Sequence, residues 1–171
     1  MNPPSSPRSA LAGRRRLAAY GLALLVVLVD QLSKAWVVEH LALRGSAPLL
    51  PGLLRLQLAY NTGAAFSLLR DSTLALGLVS LVVSLALVVW IQGSGPLRRW
   101  QLPAAGLLLG GAVGNGIDRW RLGTVVDFFE FVPVRFPIFN VADVAINLAV
   151  LCLLIDLLRR DGPGDQATHD R

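Results

Sequence analysis

Four apolar blocks dominate the chain, and polar residues collect near the ends of these blocks. The blocks cover residues 17–38, 74–91, 102–117 and 144–158. Each has roughly 15–22 residues, close to the about 20 that a helix needs to span the hydrocarbon core of a bilayer. The pattern predicts an all-α membrane protein with four transmembrane helices.

The segment between the first two blocks predicts a small β element. Leu53–Tyr60 alternates between apolar and polar positions enough for a short strand or two, and the sequence "NTG" then turns the chain. Ala64–Leu69 is amphipathic and predicts a short helix on the membrane surface. Irregular backbone at this depth must be covered by protein or water, so we expect this loop to cover part of the molecule.

The two ends of the chain predict disorder. Residues 1–13 are rich in proline and serine, and residues 161–171 are polar. The membrane domain therefore extends over residues 14–160. Its first block could also be a cleaved signal peptide, but no convincing small-residue cleavage site follows it. Asp30 and Lys34, four residues apart, share a helix face and can pair, which favours a retained helix.

Arginine clusters predict the orientation. The chain has a formal net charge of +5, and its basic residues cluster at 14–16, 98–99 and 159–160, at alternate ends of successive blocks. Because basic residues favour the cytoplasmic side, both termini are expected to be cytoplasmic, with loops 39–73 and 118–143 outside. The basic residues flank apolar spans instead of forming a stripe, so nucleic-acid binding is not expected.

Composition narrows the chemistry further. Hydrophobic residues make up 54% of the chain and charged residues 16%, which is unlike an ordinary soluble domain. The single cysteine, Cys152, and the two histidines, His40 and His169, lack metal-ligand spacing. We therefore expect no metal and no cofactor. In the third block, Gly106, Gly110 and Gly114 recur every four residues, which predicts a groove for close helix packing.

Acidic and amide residues gather at the predicted outer ends of the spans. Asp118, Asp127 and Asp143 lie at or between the ends of blocks three and four. Two carboxyls in close contact share one proton, so that one member can donate to a carbonyl while the other takes a proton from water. Such a pair hydrolyses an amide without a metal.

Spacing alone does not decide which two acids meet. An ion pair with Arg119 is the simpler interpretation of Asp118, which leaves Asp127 and Asp143 as the better dyad candidates. The alternative for them is interfacial solvation and helix capping, with Asn140 or Asp143 capping the fourth span. Asp156 can pair with Arg160 four residues later.

Five ordered motifs then resemble those of lipoprotein signal peptidase, also called signal peptidase II. They are "DQLSK" at 30–34, "NTGAAFS" at 61–67, "GNGIDR" at 114–119, "VVDFF" at 125–129 and "FNVADVAIN" at 139–147. The resemblance implies a bacterial inner-membrane aspartic peptidase that removes the signal peptide from prolipoproteins before a diacylglyceryl-modified cysteine. It also implies four helices, a small extracytoplasmic β element and a short surface helix.

The same resemblance assigns residue roles. It makes Asp127 and Asp143 the catalytic aspartates, and it gives substrate-binding or dyad-supporting roles to Asn61, Gly63, Asn115, Asp118, Arg119 and Asn140. It makes Asp30 and Lys34 structural supports. The expected partners are prolipoprotein substrates and membrane lipid, without nucleic acid or an obligate protein partner.

Two other functions compete with this one. A small transporter or channel would use the acids as a proton or cation path, but it would spread them through the membrane depth, often with internal repeats. A non-catalytic assembly factor would use the glycine groove for helix contacts and would not depend on Asp127.

Overall fold

The structure, a computed structural model, describes residues 7–42, 45–63 and 73–160. Within these residues the chain forms four α-helices and one three-stranded antiparallel sheet. The helices are α1 (Pro7–Leu41), α2 (Thr73–Gly93), α3 (Gln101–Leu122) and α4 (Val141–Arg160), and the strands, in the sheet order β1-β2-β3, are β1 (Ser46–Leu50), β2 (Leu54–Asn61) and β3 (Val125–Phe131).

Three helices are long and apolar enough to cross a membrane among the described residues, namely Ser9–Leu41, Thr73–Gly93 and Val141–Arg159. Most large apolar side chains of these helices point away from the protein, as expected for surfaces that face lipid. The chain is therefore a membrane protein. The fourth predicted span, residues 102–117, falls in α3, which is not among these three, so the prediction of four spans stays a prediction.

Helix α3 occupies the centre of the bundle and packs against α1, α2 and α4. Its glycines allow the close approach that the sequence predicted. A Cβ on Gly110 would lie 2.6 Å from the Cβ of Val26 on α1, and a Cβ on Gly106 would lie 2.7 Å from the carbonyl oxygen of Ala19. The adjacent Gly111 serves the other face, where a Cβ would lie 2.7 Å from the carbonyl oxygen of Ala142 on α4. The small residues thus set the helix spacing on two sides of α3.

The sheet includes two strands that were not predicted from the sequence, β1 and β3. The prediction of strand structure within Leu53–Tyr60 is confirmed by β2, but residues 118–143 were expected to be a loop. Instead, β3 pairs with β2 and aligns Ala59 with Asp127. The signal was present in the valines and phenylalanines around Asp127, which favour strands. Because β3 is short and largely buried on both faces, its sequence lacks the clear alternation of apolar and polar residues that predicts a strand.

The beginning of α1 also differs from expectation. The prediction that residues 1–13 are disordered is wrong for residues 7–13, because α1 begins at Pro7. Proline suits the first turn of a helix, and Ala12 is buried against the bundle, so packing extends the helix upstream of the apolar block. The predicted surface helix at 64–69 and the predicted C-terminal tail at 161–171 lie outside the described residues.

Candidate functional site

The two candidate aspartates lie at one end of the bundle, on different elements. Asp127 is the third residue of β3, and Asp143 is in the first turn of α4. Gly123, in the left-handed conformation with φ of 74°, ends α3 and turns the chain directly into β3. This tight turn carries Asp127 back over the end of α3.

Asn140 connects the two carboxylates. Its Nδ2 donates to Asp127 Oδ1 at 2.6 Å, and its backbone N–H donates to Asp143 Oδ2 at 3.1 Å. The Asp143 N–H in turn donates to Asn140 Oδ1 at 3.0 Å. The reciprocal bonds between Asn140 and Asp143 form a capping box at the start of α4. Helix capping, the alternative considered for these residues, is therefore present at Asn140, and the same bonds hold the Asp143 carboxylate on the side of Asn140 that faces the site.

Two further amides hold the outer oxygens of the pair. Asn61 Nδ2 donates to Asp127 Oδ2 at 3.0 Å, while Asn61 Oδ1 accepts from the N–H of Gly63 at 3.0 Å. Asn115 Nδ2 donates to Asp143 Oδ1 at 2.8 Å. Each aspartate thus receives hydrogen bonds to both of its oxygens, which fixes its orientation.

Burial changes the protonation of Asp127, whose side chain lies outside the spanning helices. Desolvation, and secondly the negative charge of Asp143, raise the pKa of Asp127 from its ordinary 3.8 to about 7. Hydrogen bonds from Asn61 and Asn140 favour the ionised form and oppose this rise. Near neutral pH the Asp127 carboxyl is therefore available in both its protonated and its ionised form.

A buried polar layer lies beneath the aspartates. Lys34 Nζ contacts Asp30 Oδ2 at 2.8 Å, Asp118 Oδ2 at 2.9 Å and Asn115 Oδ1 at 3.0 Å. The predicted pair of Asp30 and Lys34 is confirmed. The predicted partner of Asp118 was wrong, since Asp118 pairs with Lys34 and not with Arg119. Consecutive residues on a helix point in different directions, which prevents that neighbour contact.

This layer anchors the two elements that carry the aspartates. Asp30 Oδ1 accepts the N–H of Ala142 at 3.0 Å, in the first turn of α4. Asp118 Oδ2 accepts the N–H of Val126 at 3.1 Å, next to Asp127 on β3. Buried charges need such partners to be tolerated. Asp118 is therefore a support beneath the site, and it does not line the cavity in front of the aspartates.

Gln31 is a contributor that the sequence reading did not identify. Its Nε2 donates to Asp118 Oδ1 at 2.9 Å, to Asp30 Oδ2 at 3.1 Å and to the carbonyl oxygen of Gly114 at 3.2 Å. It lies within the quoted stretch "DQLSK", but a glutamine one position from Asp30 is not on the face that pairs with Lys34. Nothing in the spacing singled it out.

A cavity of about 1020 Å³ opens in front of the aspartates. Its polar wall includes Asn61, Gly63, Asn115, Arg119, Asp127 and Asp143. Its apolar wall includes Phe136, Ile138, Val144, Ile146, Leu148 and Leu151. Since Leu148 and Leu151 also belong to the exposed apolar surface of α4, the cavity continues towards the lipid-facing side.

The structure places all eight residues that were predicted to catalyse or to contact substrate and dyad at this end of the bundle. Arg119 contributes only long contacts, from Nη1 to the carbonyl oxygen of Asn115 at 3.4 Å and from Nη2 to that of Gly63 at 3.5 Å. Within the described residues, no set of three or more His, Cys, Asp and Glu side chains is arranged to hold a metal ion. The expectation of metal-free chemistry stays a prediction.

Comparison with known proteins decides the family. The model of the family described as signal peptidase (SPase) II matches residues 22–159. The chain belongs to the signal peptidase II family. Within that family it is 54% identical to the lipoprotein signal peptidase of Synechococcus sp. (strain RCC307), over 88% of this chain and 99% of the relative. It is 55% identical to the lipoprotein signal peptidase of Parasynechococcus marenigrum (strain WH8102), over 84% of this chain and 90% of the relative.

A solved structure supports the fold of this signal peptidase II family member. A bacterial membrane enzyme determined by the in meso method at 2.3 Å resolution superposes with a TM-score of 0.77 and 30% sequence identity, over 86% of this chain and 92% of that chain. The resemblance noted in the five sequence motifs is therefore confirmed at the level of the family and of the fold.

Proposed function

We propose that this signal peptidase II family member removes signal peptides from prolipoproteins, cleaving before a diacylglyceryl-modified cysteine. The observation that carries the proposal is the pair Asp127 and Asp143, both bonded to Asn140, at the polar end of a cavity with an apolar wall. A lipid-modified cysteine keeps its acyl chains in the bilayer, and the apolar wall along α4 suits chains that enter from the lipid side.

The proposed reaction is aspartic hydrolysis without a metal or a covalent intermediate. One carboxyl of the pair, protonated, donates to the carbonyl oxygen of the scissile peptide bond. The other, ionised, takes a proton from the attacking water. Collapse of the tetrahedral adduct transfers a proton to the leaving nitrogen and breaks the bond. The raised pKa of Asp127 supports a proton held at this site near neutral pH.

The remaining roles follow from the contacts. Asn61, Asn115 and Asn140 orient the two carboxyls, and Gly63 and Arg119 border the cavity where the substrate backbone would lie. Asp30, Lys34 and Asp118 support them from below.

The proposed topology has four membrane spans, with α3 as the central one, in the cytoplasmic (inner) membrane. All three arginine clusters occur at the end of the bundle opposite the aspartates, which supports cytoplasmic termini and an active site near the outer face. A reporter fused after Arg99 should signal cytoplasm; an external signal would overturn this orientation.

The test of function is cleavage of a purified diacylglyceryl-modified precursor in detergent. Asp127→Asn and Asp143→Asn should each lower the rate by about 10²–10⁴-fold or more, because each removes one proton-transfer group. The matched controls are Glu130→Gln on the same strand and Asp156→Asn on the same helix, which should stay near the wild-type rate. Cleavage that persists in both aspartate variants would eliminate the dyad.

A further inference from the structure

The end of the bundle opposite the aspartates concentrates positive charge. Along α1 this end lies about 25 Å from the buried polar layer, from the helix rise of about 1.5 Å per residue. Among the described residues, this end carries Asp156, which pairs with Arg98, and six arginines, namely Arg14, Arg15, Arg16, Arg98, Arg99 and Arg159. The positive charge of these arginines is therefore only partly neutralised within the described residues.

Three of these arginines already have partners within the protein. Arg16 Nη2 donates to the carbonyl oxygen of Ser94 at 2.6 Å, and Arg15 Nη1 donates to that of Leu97, so α1 holds the α2–α3 connection. Arg98 pairs with Asp156 across to α4. The predicted pair of Asp156 with Arg160 stays a prediction, because the Arg160 side chain lies outside what the structure describes.

Other arginines remain available around Trp100. The guanidinium carbons of Arg99 and Arg159 lie 5.7 Å and 5.5 Å from the centre of the indole ring, and both side chains are exposed. Two cations from separate elements thus converge on one aromatic ring. Tryptophan and arginine together are typical of the boundary between hydrocarbon and headgroups.

Unsatisfied donors occur at the same end. In the part of the chain that the structure describes, the buried side-chain nitrogen and oxygen atoms without a hydrogen-bond partner are Arg16 Nε, Tyr20 Oη, Arg98 Nε and Trp100 Nε1. Each of them can donate a hydrogen bond, and buried donors normally have an acceptor. Helix α3 also begins here, at Gln101, without a side-chain cap, which adds a partial positive charge.

We propose that this basic end, formed around Arg98, Arg99, Trp100 and Arg159, binds the phosphate of an anionic phospholipid. A phosphodiester only accepts hydrogen bonds, so it complements a site that offers donors and positive charge. Free inorganic phosphate shares this chemistry. The lipid is favoured because the site terminates membrane-crossing helices, where anionic headgroups are concentrated.

The test measures lipids retained by the full chain in a neutral detergent, by native mass spectrometry with phosphatidylglycerol and phosphatidylcholine of equal chain length. The wild type should bind the anionic lipid roughly 25-fold better, since Arg99 and Arg159 should each contribute about a factor of five. Arg99→Gln/Arg159→Gln should lose most of this preference while its precursor cleavage in neutral detergent stays unchanged.

The matched control is Arg121→Gln/Arg135→Gln, which removes the same charge from exposed positions at the other end and should keep the preference. Trp100→Phe, which keeps a ring but removes the Nε1 donor, should weaken the binding of the anionic lipid and leave that of the neutral lipid unchanged. Equal binding of the two lipids by the wild type, or equal losses in both double variants, would overturn the proposal. Displacement by millimolar inorganic phosphate would reassign the site to the free anion.

Discussion

The Asn140 side chain donates to Asp127 at 2.6 Å while its backbone and its amide oxygen form the cap that positions Asp143. One residue therefore begins a helix and joins the two carboxyls on which the proposed reaction depends. The arrangement makes the geometry of the pair a consequence of how α4 starts.

Asn140→Ser separates these two duties. Serine caps a helix about as well as asparagine does, so the serine variant should keep the stability that the cap contributes, although it loses the buried amide's bonds to Asn115 Oδ1 and to the Val126 carbonyl oxygen. Loss of the amide donor to Asp127 should lower precursor cleavage roughly 10–100-fold, the effect of a hydrogen bond to a charged group of about 1.5–3 kcal/mol. Asn140→Ala, which also removes the cap, should lose activity and about 1 kcal/mol of stability beyond the serine variant. If the serine variant cleaves at the wild-type rate, the amide does not position Asp127.

Stability should depend on pH through Asp127. Its folded pKa of about 7 lies above the ordinary unfolded value, so the folded state binds the proton more tightly. The resulting stabilisation is complete below about pH 4 and is lost as the pH rises from about 4 to about 7. Asp127→Asn escapes this loss.

The free energy of unfolding of Asp127→Asn, relative to that of the wild type, should therefore increase by about 2–3 kcal/mol from pH 5 to pH 8. Calorimetry in detergent at several pH values measures it. Glu130→Gln is the control on the same strand. A hydrogen bond from Arg55 lowers the pKa of Glu130, so the free energy of unfolding of Glu130→Gln relative to the wild type should not increase over this pH range. A constant difference for Asp127→Asn would contradict the raised pKa.

Lys34→Met should be strongly destabilising. It would leave Asp30 and Asp118 buried without their shared cation, and breaking a buried ion pair in this way costs about 3–5 kcal/mol. Asp30→Asn/Lys34→Met should recover part of this loss, because one uncompensated charge is removed as well. As a control, Arg55→Gln breaks the exposed pair with Glu130 and should shift the melting temperature only slightly. Similar shifts in melting temperature for Lys34→Met and Arg55→Gln would argue against a buried network.

Gly110→Ala should separate α3 from α1. The added Cβ would meet Val26 Cβ at 2.6 Å and the carbonyl oxygen of Ala23 at 2.8 Å, and the backbone atom cannot turn aside. Overpacking of this kind costs about 1–3 kcal/mol. Gly21→Ala on α1, where a Cβ would meet nothing within 4 Å, should be neutral or slightly stabilising. Equal melting temperatures for the two variants would show that the groove does not set the spacing.

The sequence predicted those features that depend on neighbours along the chain. Apolar block length indicated the helices, and the four-residue recurrence of Gly106, Gly110 and Gly114 indicated the groove that now receives α1. The spacing of Asp30 and Lys34 indicated their pair. The ends of elements were less accurate, since α1 extends upstream to Pro7 where packing, rather than apolar composition, maintains the helix.

Other features required the folded molecule. Asp118 has Arg119 beside it in sequence, yet its partner is Lys34, which comes from α1 when the bundle closes. Likewise Asp156 pairs with Arg98 in the connection between α2 and α3, and Gln31 joins the network only because α3 packs against α1. Such partners are separated by tens of residues, and no local pattern records them.

By itself, the sequence determined a membrane-embedded helical chain and the glycine face of α3, because periodicity, length and side-chain chemistry are properties of local stretches. The residues of the candidate site were indicated by the resemblance of its five ordered motifs to those of signal peptidase II. Only the tertiary structure decided that β3 is a strand, that Asn140 links Asp127 to Asp143, and that Lys34 supports both from below. Hydrogen bonds and desolvation act over a few ångströms in space, and folding alone determines which distant residues come within that range.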